Sequence, residues 1–148
     1  SKHMTMIENI SRLSYSMYLN EEAYNALKQM YDDLYKNTKK RFLVTSAYKS
    51  YDVLNLEENT SQAGYSEFQL GTSVSLKVNG IKDVEFVSTD VYQWLLEHSY
   101  EYGYVLRYPS DKVTITQKES CNIFRYVGKE NAQKMHNQNL CLEELNNQ

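Results

Sequence analysis

Proline and glycine are scarce in this chain. One proline and five glycines among 148 residues leave little material for flexible linkers. No apolar run approaches the roughly 20 residues that a membrane-spanning helix needs. We therefore expect a single folded domain, long enough to bury a sizeable core, with no membrane insertion in this stretch of sequence.

Cysteine is also rare, and its positions exclude two classes of small domain. Cys121 and Cys141 are too few for a disulfide framework. These two cysteines, His98 and His136 do not form two closely spaced ligand pairs, so the four residues do not predict a zinc site. We expect two unpaired thiols that pack as small apolar groups.

No charge of one sign dominates the composition. The formal net charge is -3, charged residues make up 24% and apolar residues 41%, which is typical of a soluble globular chain and gives a nucleic-acid partner no support. Tyrosine is the exception, with fourteen residues. Because a tyrosine buries its ring and keeps a hydroxyl for hydrogen bonding, these residues suit both a core and a binding surface.

Residues 1–4 are typical of an expression-tag remnant, so we set them apart from the fold. Residues 5–148 are predicted to form one domain. A natural signal peptide or membrane anchor, if the protein has one, would precede Thr5.

The stretch from 64 to 76 organises the rest of the chain. A glycine turn at Gly64 leads through a polar loop into a strand, where Val74 and Leu76 alternate with Ser73 and Ser75. A period of two places the first pair on a core face and the second pair on an open face.

Helical and strand patterns alternate around this stretch. Asn20 can cap a helix over about 21–37, and Ser88 or Thr89 can cap another that stops near Gly103. The remaining patterns predict strands at 42–46, 104–108 and 122–127, a helix at 130–138, and an irregular or partly helical arm at 5–19. The sequence therefore predicts an α+β fold with a small, mostly antiparallel sheet flanked by helices.

Four segments together resemble the VanY-type zinc D,D-carboxypeptidases of bacterial cell-wall metabolism. Those enzymes carry, in order, motifs close to S-G-Y-R-S-Y, G-Y-S-E-H-Q-x-G-x-A-V-D, Y-G-F-x-L-R-Y-P and E-P-W-H-x-R-Y-V-G. This chain reads S-A-Y-K-S-Y at 46–51, G-Y-S-E-F-Q-L-G at 64–71, Y-G-Y-V-L-R-Y-P at 102–109 and F-R-Y-V-G at 124–128. The resemblance covers about residues 20–146 and implies the D,D-carboxypeptidase fold, which is related to that of hedgehog proteins.

The resemblance also implies that the family's catalytic groups are replaced. The positions that hold zinc in the family, two histidines and an aspartate, correspond here to Phe68, Ile123 and Ser75, and the glutamate that serves as general base corresponds to Ser120. We therefore expect no metal, no cofactor and no catalytic residue in this chain. A set of Ser75, Ser120, His98 and Cys121 offers no substitute, since no acid is placed to orient a base.

A substrate groove without its metal could still bind a ligand. The family's substrate-holding arginine corresponds to Lys49, which keeps a positive charge but not the two-pronged geometry. The other candidates for ligand contact are polar or aromatic residues near the same motifs: Tyr48, Tyr65, Ser66, Glu67, Gln69, Lys77 and Tyr104. Scaffold packing is the competing role for each tyrosine.

Three functions follow as hypotheses. The first is a catalytically inactive D-Ala-D-Ala carboxypeptidase-like domain, a pseudoenzyme, that binds peptidoglycan stem peptide or a cell-envelope protein. The second is a pure protein-interaction or scaffold domain, and the third is a residual peptidoglycan carboxypeptidase. By resemblance the protein belongs to a bacterium and acts outside the cytoplasm at the cell envelope, with any anchor in a segment before Thr5.

Overall fold

The computed structural model describes residues 3–48 and 67–148. Its strands in those ranges are β1 (Met4–Met6), β2 (Tyr18–Asn20), β3 (Leu43–Ser46), β4 (Ser73–Lys77), β5 (Tyr104–Tyr108) and β6 (Ser120–Tyr126). Its helices there are α1 (Glu21–Thr38), α2 (Asp83–Phe86), α3 (Asp90–His98), α4 (Val113–Thr116), α5 (Lys129–Gln138) and α6 (Leu142–Asn146). Two 3₁₀ turns, Ser99–Tyr102 and Ser110–Lys112, join neighbouring elements.

The main sheet has four strands in the order β3-β4-β6-β5, and every neighbouring pair is antiparallel. β1 and β2 form a separate two-stranded ladder. This arrangement confirms the predicted α+β class and the predicted antiparallel sheet. Because β4 and β6 are the two inner strands, residues from distant parts of the sequence meet at the centre of the sheet.

The long helix α1 begins where the sequence predicts it. The Asn20 side-chain oxygen accepts hydrogen bonds from the backbone N–H groups of Glu22 and Ala23, at 3.1 and 3.4 Å. Such a cap satisfies N–H groups that have no partner inside the helix. One face of α1 is buried in the core through Ala23, Leu27, Met30, Tyr31 and Leu34.

The second predicted helix corresponds to α3, capped by Thr89, whose Oγ1 accepts from the Tyr92 N–H at 3.1 Å. A 3₁₀ turn continues it to Gly103, which has a positive φ of 87°. His98 at the end of this helix is half-buried, with its ring against Trp94 and its Nδ1 3.1 Å from a Glu101 carboxylate oxygen.

The arm before α1 differs from the sequence prediction. β1 and β2 pair with Met4 opposite Asn20, and Ile7 and Ile10 between them are buried. The partly helical alternative for 5–19 is wrong, because the two ends of this arm pair with each other as strands instead of forming helical hydrogen bonds. Within the described ranges, no helix has both the length and the apolar character to cross a membrane.

Candidate functional site

Two predicted site positions meet at the centre of the sheet. Ser75 on β4 lies directly opposite Ile123 on β6, and the next pair on the same face of the sheet is Ser73 and Arg125. Directly opposite residues in an antiparallel ladder point to the same face, with Cβ atoms about 5 Å apart. We name the surface formed by Ser73, Ser75, Ile123 and Arg125 the site face.

A helical turn at residues 67–69 lies over the site face. Its first residue, Glu67, contacts both Ser73 and Arg125. The Gly71 N–H donates to the Phe68 carbonyl oxygen at 3.1 Å, and Gly71 has a φ of 74°. This conformation favours glycine, so Gly71 lets the chain turn back into β4. The half-buried Phe68 therefore lies on the turn that Glu67 fixes to Ser73 and Arg125.

Ser120 begins β6 and pairs with Tyr108 beyond an irregularity in the β5–β6 register. A cavity of about 410 Å³ is bordered by Ser120, Cys121, Tyr92 and Tyr108, among others. Burial raises the pKa of the Cys121 thiol. A thiol with a raised pKa stays protonated at neutral pH and is a poor nucleophile, so Cys121 offers no reactive thiolate beside Ser120.

Glu67 is the centre of a buried hydrogen-bond network. Its carboxylate accepts from Ser73 Oγ at 2.5 Å and from Tyr108 Oη at 3.0 Å. It also accepts from Arg107 Nε at 3.2 Å and from Arg125 Nη1 at 3.3 Å. We predicted Glu67 as a ligand contact, but its side chain is only 5% exposed and its carboxylate has four protein donors. It orders the site face rather than facing a ligand.

The charges around Glu67 explain how a carboxylate is tolerated there. Burial alone would raise its pKa, but the Ser73 hydrogen bond and the positive charges of Arg125 and Arg107 outweigh burial and lower the pKa. Arg107 also makes a two-pronged pair with Glu143 on α6, with both N···O distances 3.0 Å. The network thus joins the 67–69 turn, the three strands β4, β5 and β6, and the last helix.

Two of the three tyrosines predicted near the groove lie within the described residues, and they differ in their surroundings. Tyr104 is fully buried, and its hydroxyl donates to the Ala23 carbonyl oxygen at 2.6 Å. Its ring therefore packs β5 against α1 and is not accessible to a ligand, which corrects our prediction for this residue. Tyr48 is half-buried and pairs through its backbone with Tyr18.

The remaining predicted contacts are distributed unevenly. Gln69 is half-buried on the turn over the site face. Lys77, two residues beyond Ser75, has a 28% exposed side chain whose Nζ lies 3.7 Å from Asp83. Lys49, Tyr65 and Ser66 lie outside the described residues, and their roles stay predictions.

Sequence reasoning missed Arg107, Arg125 and Tyr108 as members of the site. A signal for them was present, because both arginines stand inside matched motifs, at 102–109 and 124–128. In a strand, side chains two residues apart share a face. Arg125 follows Ile123 by two, and that spacing alone places it beside a predicted ligand position.

Within residues 3–48 and 67–148, no three His, Cys, Asp or Glu side chains are grouped so that they could hold a metal ion. At the four positions derived from the resemblance, the structure holds a phenyl ring, an aliphatic side chain and two hydroxyls.

Comparison with known proteins assigns the chain to a family. The family described as VanY, D-alanyl-D-alanine carboxypeptidase, matches residues 53–129, more than half of the 148 residues. A D-alanyl-D-alanine carboxypeptidase of Enterococcus faecium is 32% identical over 152 residues, covering 97% of this chain and 49% of its own length. The chain spans between 31% and 53% of the length of the curated relatives that it matches.

Solved structures support the same assignment. The LdcB LD-carboxypeptidase, whose structure was described as revealing the basis of peptidoglycan recognition, has a TM-score of 0.81 and 29% identity. The match covers 95% of this chain and 76% of that one. VanYB in complex with D-alanine-D-alanine has a TM-score of 0.73 and 26% identity, covering 99% and 89%. These likenesses confirm the predicted fold, and the chain belongs to the VanY family of D-alanyl-D-alanine carboxypeptidases.

Proposed function

We propose that this chain is a VanY-family domain that binds peptidoglycan stem peptide without cleaving it. The family assignment supports the class of ligand. The structure of VanYB contains D-alanine-D-alanine, and that of LdcB was described as revealing the basis of peptidoglycan recognition. The loss of cleavage is argued from the side chains at the site face. The location outside the cytoplasm, at the cell envelope, belongs to the same proposal.

The observation that carries the proposal is the pairing of Ser75 with Ile123. At the places where the resemblance puts an aspartate and a histidine, this pair offers one neutral hydroxyl and one hydrocarbon. Zinc in proteins takes three or four nitrogen, sulfur or oxygen ligands at about 2.0–2.3 Å. Ile123 donates nothing, the phenyl ring of Phe68 donates nothing, and a serine hydroxyl is a weak substitute for a carboxylate. The residues present do not fit the ion.

Loss of the ion and of the base removes both parts of the family's hydrolytic chemistry. A bound zinc ion lowers the pKa of a water molecule and polarises the carbonyl that the water attacks. A general base must accept the proton of that water, and the hydroxyl of Ser120 has no suitable pKa for this role. One missing group could be replaced by a neighbour, but here four positions in one cluster have changed together.

The framework for binding is supported by features that do not depend on a metal. The 67–69 turn is held over the site face by the Glu67 network. Lys77 and Arg125 provide positive charge beside Ser75 and Ile123. A framework fixed in advance loses less conformational entropy when a peptide binds.

Three measurements on the purified protein test the proposal. After dialysis against zinc and then against buffer, metal analysis should give well under one zinc per chain. Incubation with acetyl-L-Lys-D-Ala-D-Ala should release no D-alanine, while a zinc-containing family member assayed in parallel releases it. Calorimetric titration with the same peptide should show saturable binding that weakens in Lys49→Ala.

Each contrary result identifies a different function. Stoichiometric zinc together with D-alanine release would establish a residual carboxypeptidase and overturn the proposal. No saturable binding of the peptide by the folded protein would contradict the peptide-binding role and favour a pure protein-interaction domain.

A further inference from the structure

Two arginines share Glu67, but they differ in how completely they are paired. Arg107 contacts Glu67 through Nε and Glu143 through both terminal nitrogens, and its side chain is 10% exposed. Among the described residues, Arg125 makes one hydrogen bond, from Nη1 to Glu67 at 3.3 Å, and its side chain is 22% exposed. A guanidinium group has five N–H donors. Within the described residues, all three guanidinium nitrogens of Arg107 donate hydrogen bonds, whereas only Nη1 of Arg125 does.

The local charges favour an additional anion at Arg125. Glu143 is engaged on both oxygens by Arg107. Glu67 is shared between the two arginines, Ser73 and Tyr108. No carboxylate in the described ranges is thus dedicated to Arg125. A partly exposed cation with one long hydrogen bond to a shared partner can gain a second partner without breaking the first.

Arg125 is also close to the predicted ligand positions on the site face. Its strand neighbour on the same face is Ile123, about 7 Å away along β6, and Ser73 is directly opposite. Glu67 fixes one edge of the guanidinium group, so its remaining edges are oriented before any ligand arrives. A pre-oriented, planar group can hold a carboxylate through two parallel hydrogen bonds.

We propose that Arg125 is the anchor for a carboxylate of the peptide bound at the site face, and that Glu67 positions it. The inference rests on the proposed binding function and names the residue and the chemical group that it recognises. Lys77 is less suited to the role, because it lies beside Asp83 and offers a point charge on a flexible stem.

The test compares two forms of one peptide. Acetyl-L-Lys-D-Ala-D-Ala with a free C-terminal carboxylate and the same peptide as its C-terminal amide are titrated into the wild type and into Arg125→Gln. The wild type should bind the free acid about tenfold more tightly than the amide, the range expected for a charge-assisted contact. Arg125→Gln should lose that preference and bind the amide as the wild type does.

Arg41→Gln is the matched control. Arg41 is an exposed arginine that lies over the Tyr35 ring, 3.9 Å from its centroid, at the end of α1. Arg41→Gln removes one positive charge, as Arg125→Gln does, and should leave the preference for the free acid intact. If Arg125→Gln fails to fold, Arg125→Lys takes its place, because it retains the ion pair with Glu67. Its preference for the free acid over the amide should be roughly threefold smaller than that of the wild type, because an ammonium group cannot form two parallel hydrogen bonds to a carboxylate.

The outcomes separate this inference from the proposed function. If the folded wild type binds neither peptide, both are overturned. If it binds with a preference for the free acid that persists in Arg125→Gln or is undiminished in Arg125→Lys, or binds acid and amide equally, the peptide-binding function stands and the role of Arg125 is wrong.

Discussion

Ser75 and Ile123 face each other across the two central strands, on the side of the sheet that the 67–69 turn covers. Two ligands of one ion must lie within a few ångströms of each other, and a directly opposed cross-strand pair satisfies that condition. The backbone at this pair is therefore compatible with a metal centre, while its side chains are not. If that is the whole difference, restoring the side chains should restore the metal.

The first prediction concerns this restoration. The variant Phe68→His, Ser75→Asp, Ile123→His, Ser120→Glu should bind zinc with micromolar affinity or better, because its donor set would match three protein ligands and an adjacent carboxylate. Competition with a chromophoric chelator measures the affinity. A threefold variant that keeps Ile123 is the control and should bind much more weakly. A folded fourfold variant that takes up no zinc would show that the ligand positions are assigned incorrectly.

The second prediction concerns Glu67 and pH. The lowered pKa of Glu67 means that the folded state binds its proton less readily than the unfolded state does. Its contribution to stability is therefore present above the usual glutamate pKa of 4.5 and is lost as the pH falls through the lowered value. In Glu67→Gln this contribution is absent at every pH, and Arg107 and Arg125 share no carboxylate between them.

Denaturant unfolding at pH 7 and at pH 3 tests this prediction. Glu67→Gln should lower the free energy of unfolding by roughly 2–4 kcal/mol at pH 7, because a buried charge pair is broken, and by clearly less at pH 3. Part of the acid sensitivity should remain, since the Arg107 hydrogen bond keeps the pKa of Glu143 low against its burial. The exposed Glu97 supplies the control Glu97→Gln. A loss of stability that is the same at both pH values would contradict the role assigned to the Glu67 charge.

The elements that the sequence predicts correctly are those with local signals. The Asn20 cap and the spacing of Leu27 and Leu34 specify α1 within the segment itself. The alternation around Ser75 specifies β4 in the same way. For such segments, the side-chain period and the capping residue determine the structure without reference to the rest of the chain.

The predictions that fail depend on partners distant in sequence. Glu67 looks like a polar loop residue until Arg107 and Arg125 are placed beside it, 40 and 58 residues later. Tyr104 looks like a groove residue until its hydroxyl meets Ala23, 81 residues earlier. A hydrogen bond between residues so far apart in sequence produces no periodic pattern. The sequence therefore indicated the site motifs, but not which of their polar groups form hydrogen bonds within the protein.

The last prediction concerns Gly103, which precedes the strand that carries Arg107. A Cβ atom added at Gly103 would lie 2.7 Å from the Tyr126 ring and 3.1 Å from the backbone of Gly128, and φ is 87°. Gly80 has nearly the same φ, 86°, but a Cβ there meets nothing within 4 Å. Gly80→Ala should therefore cost only the conformational strain, about 1 kcal/mol. Gly103→Ala should cost that strain and the displacement of β6 residues and the backbone after it, roughly 2–4 kcal/mol in total. Equal losses in the two variants, measured by denaturant unfolding, would mean that the close approach of β5 to residues 126–128 does not constrain the fold.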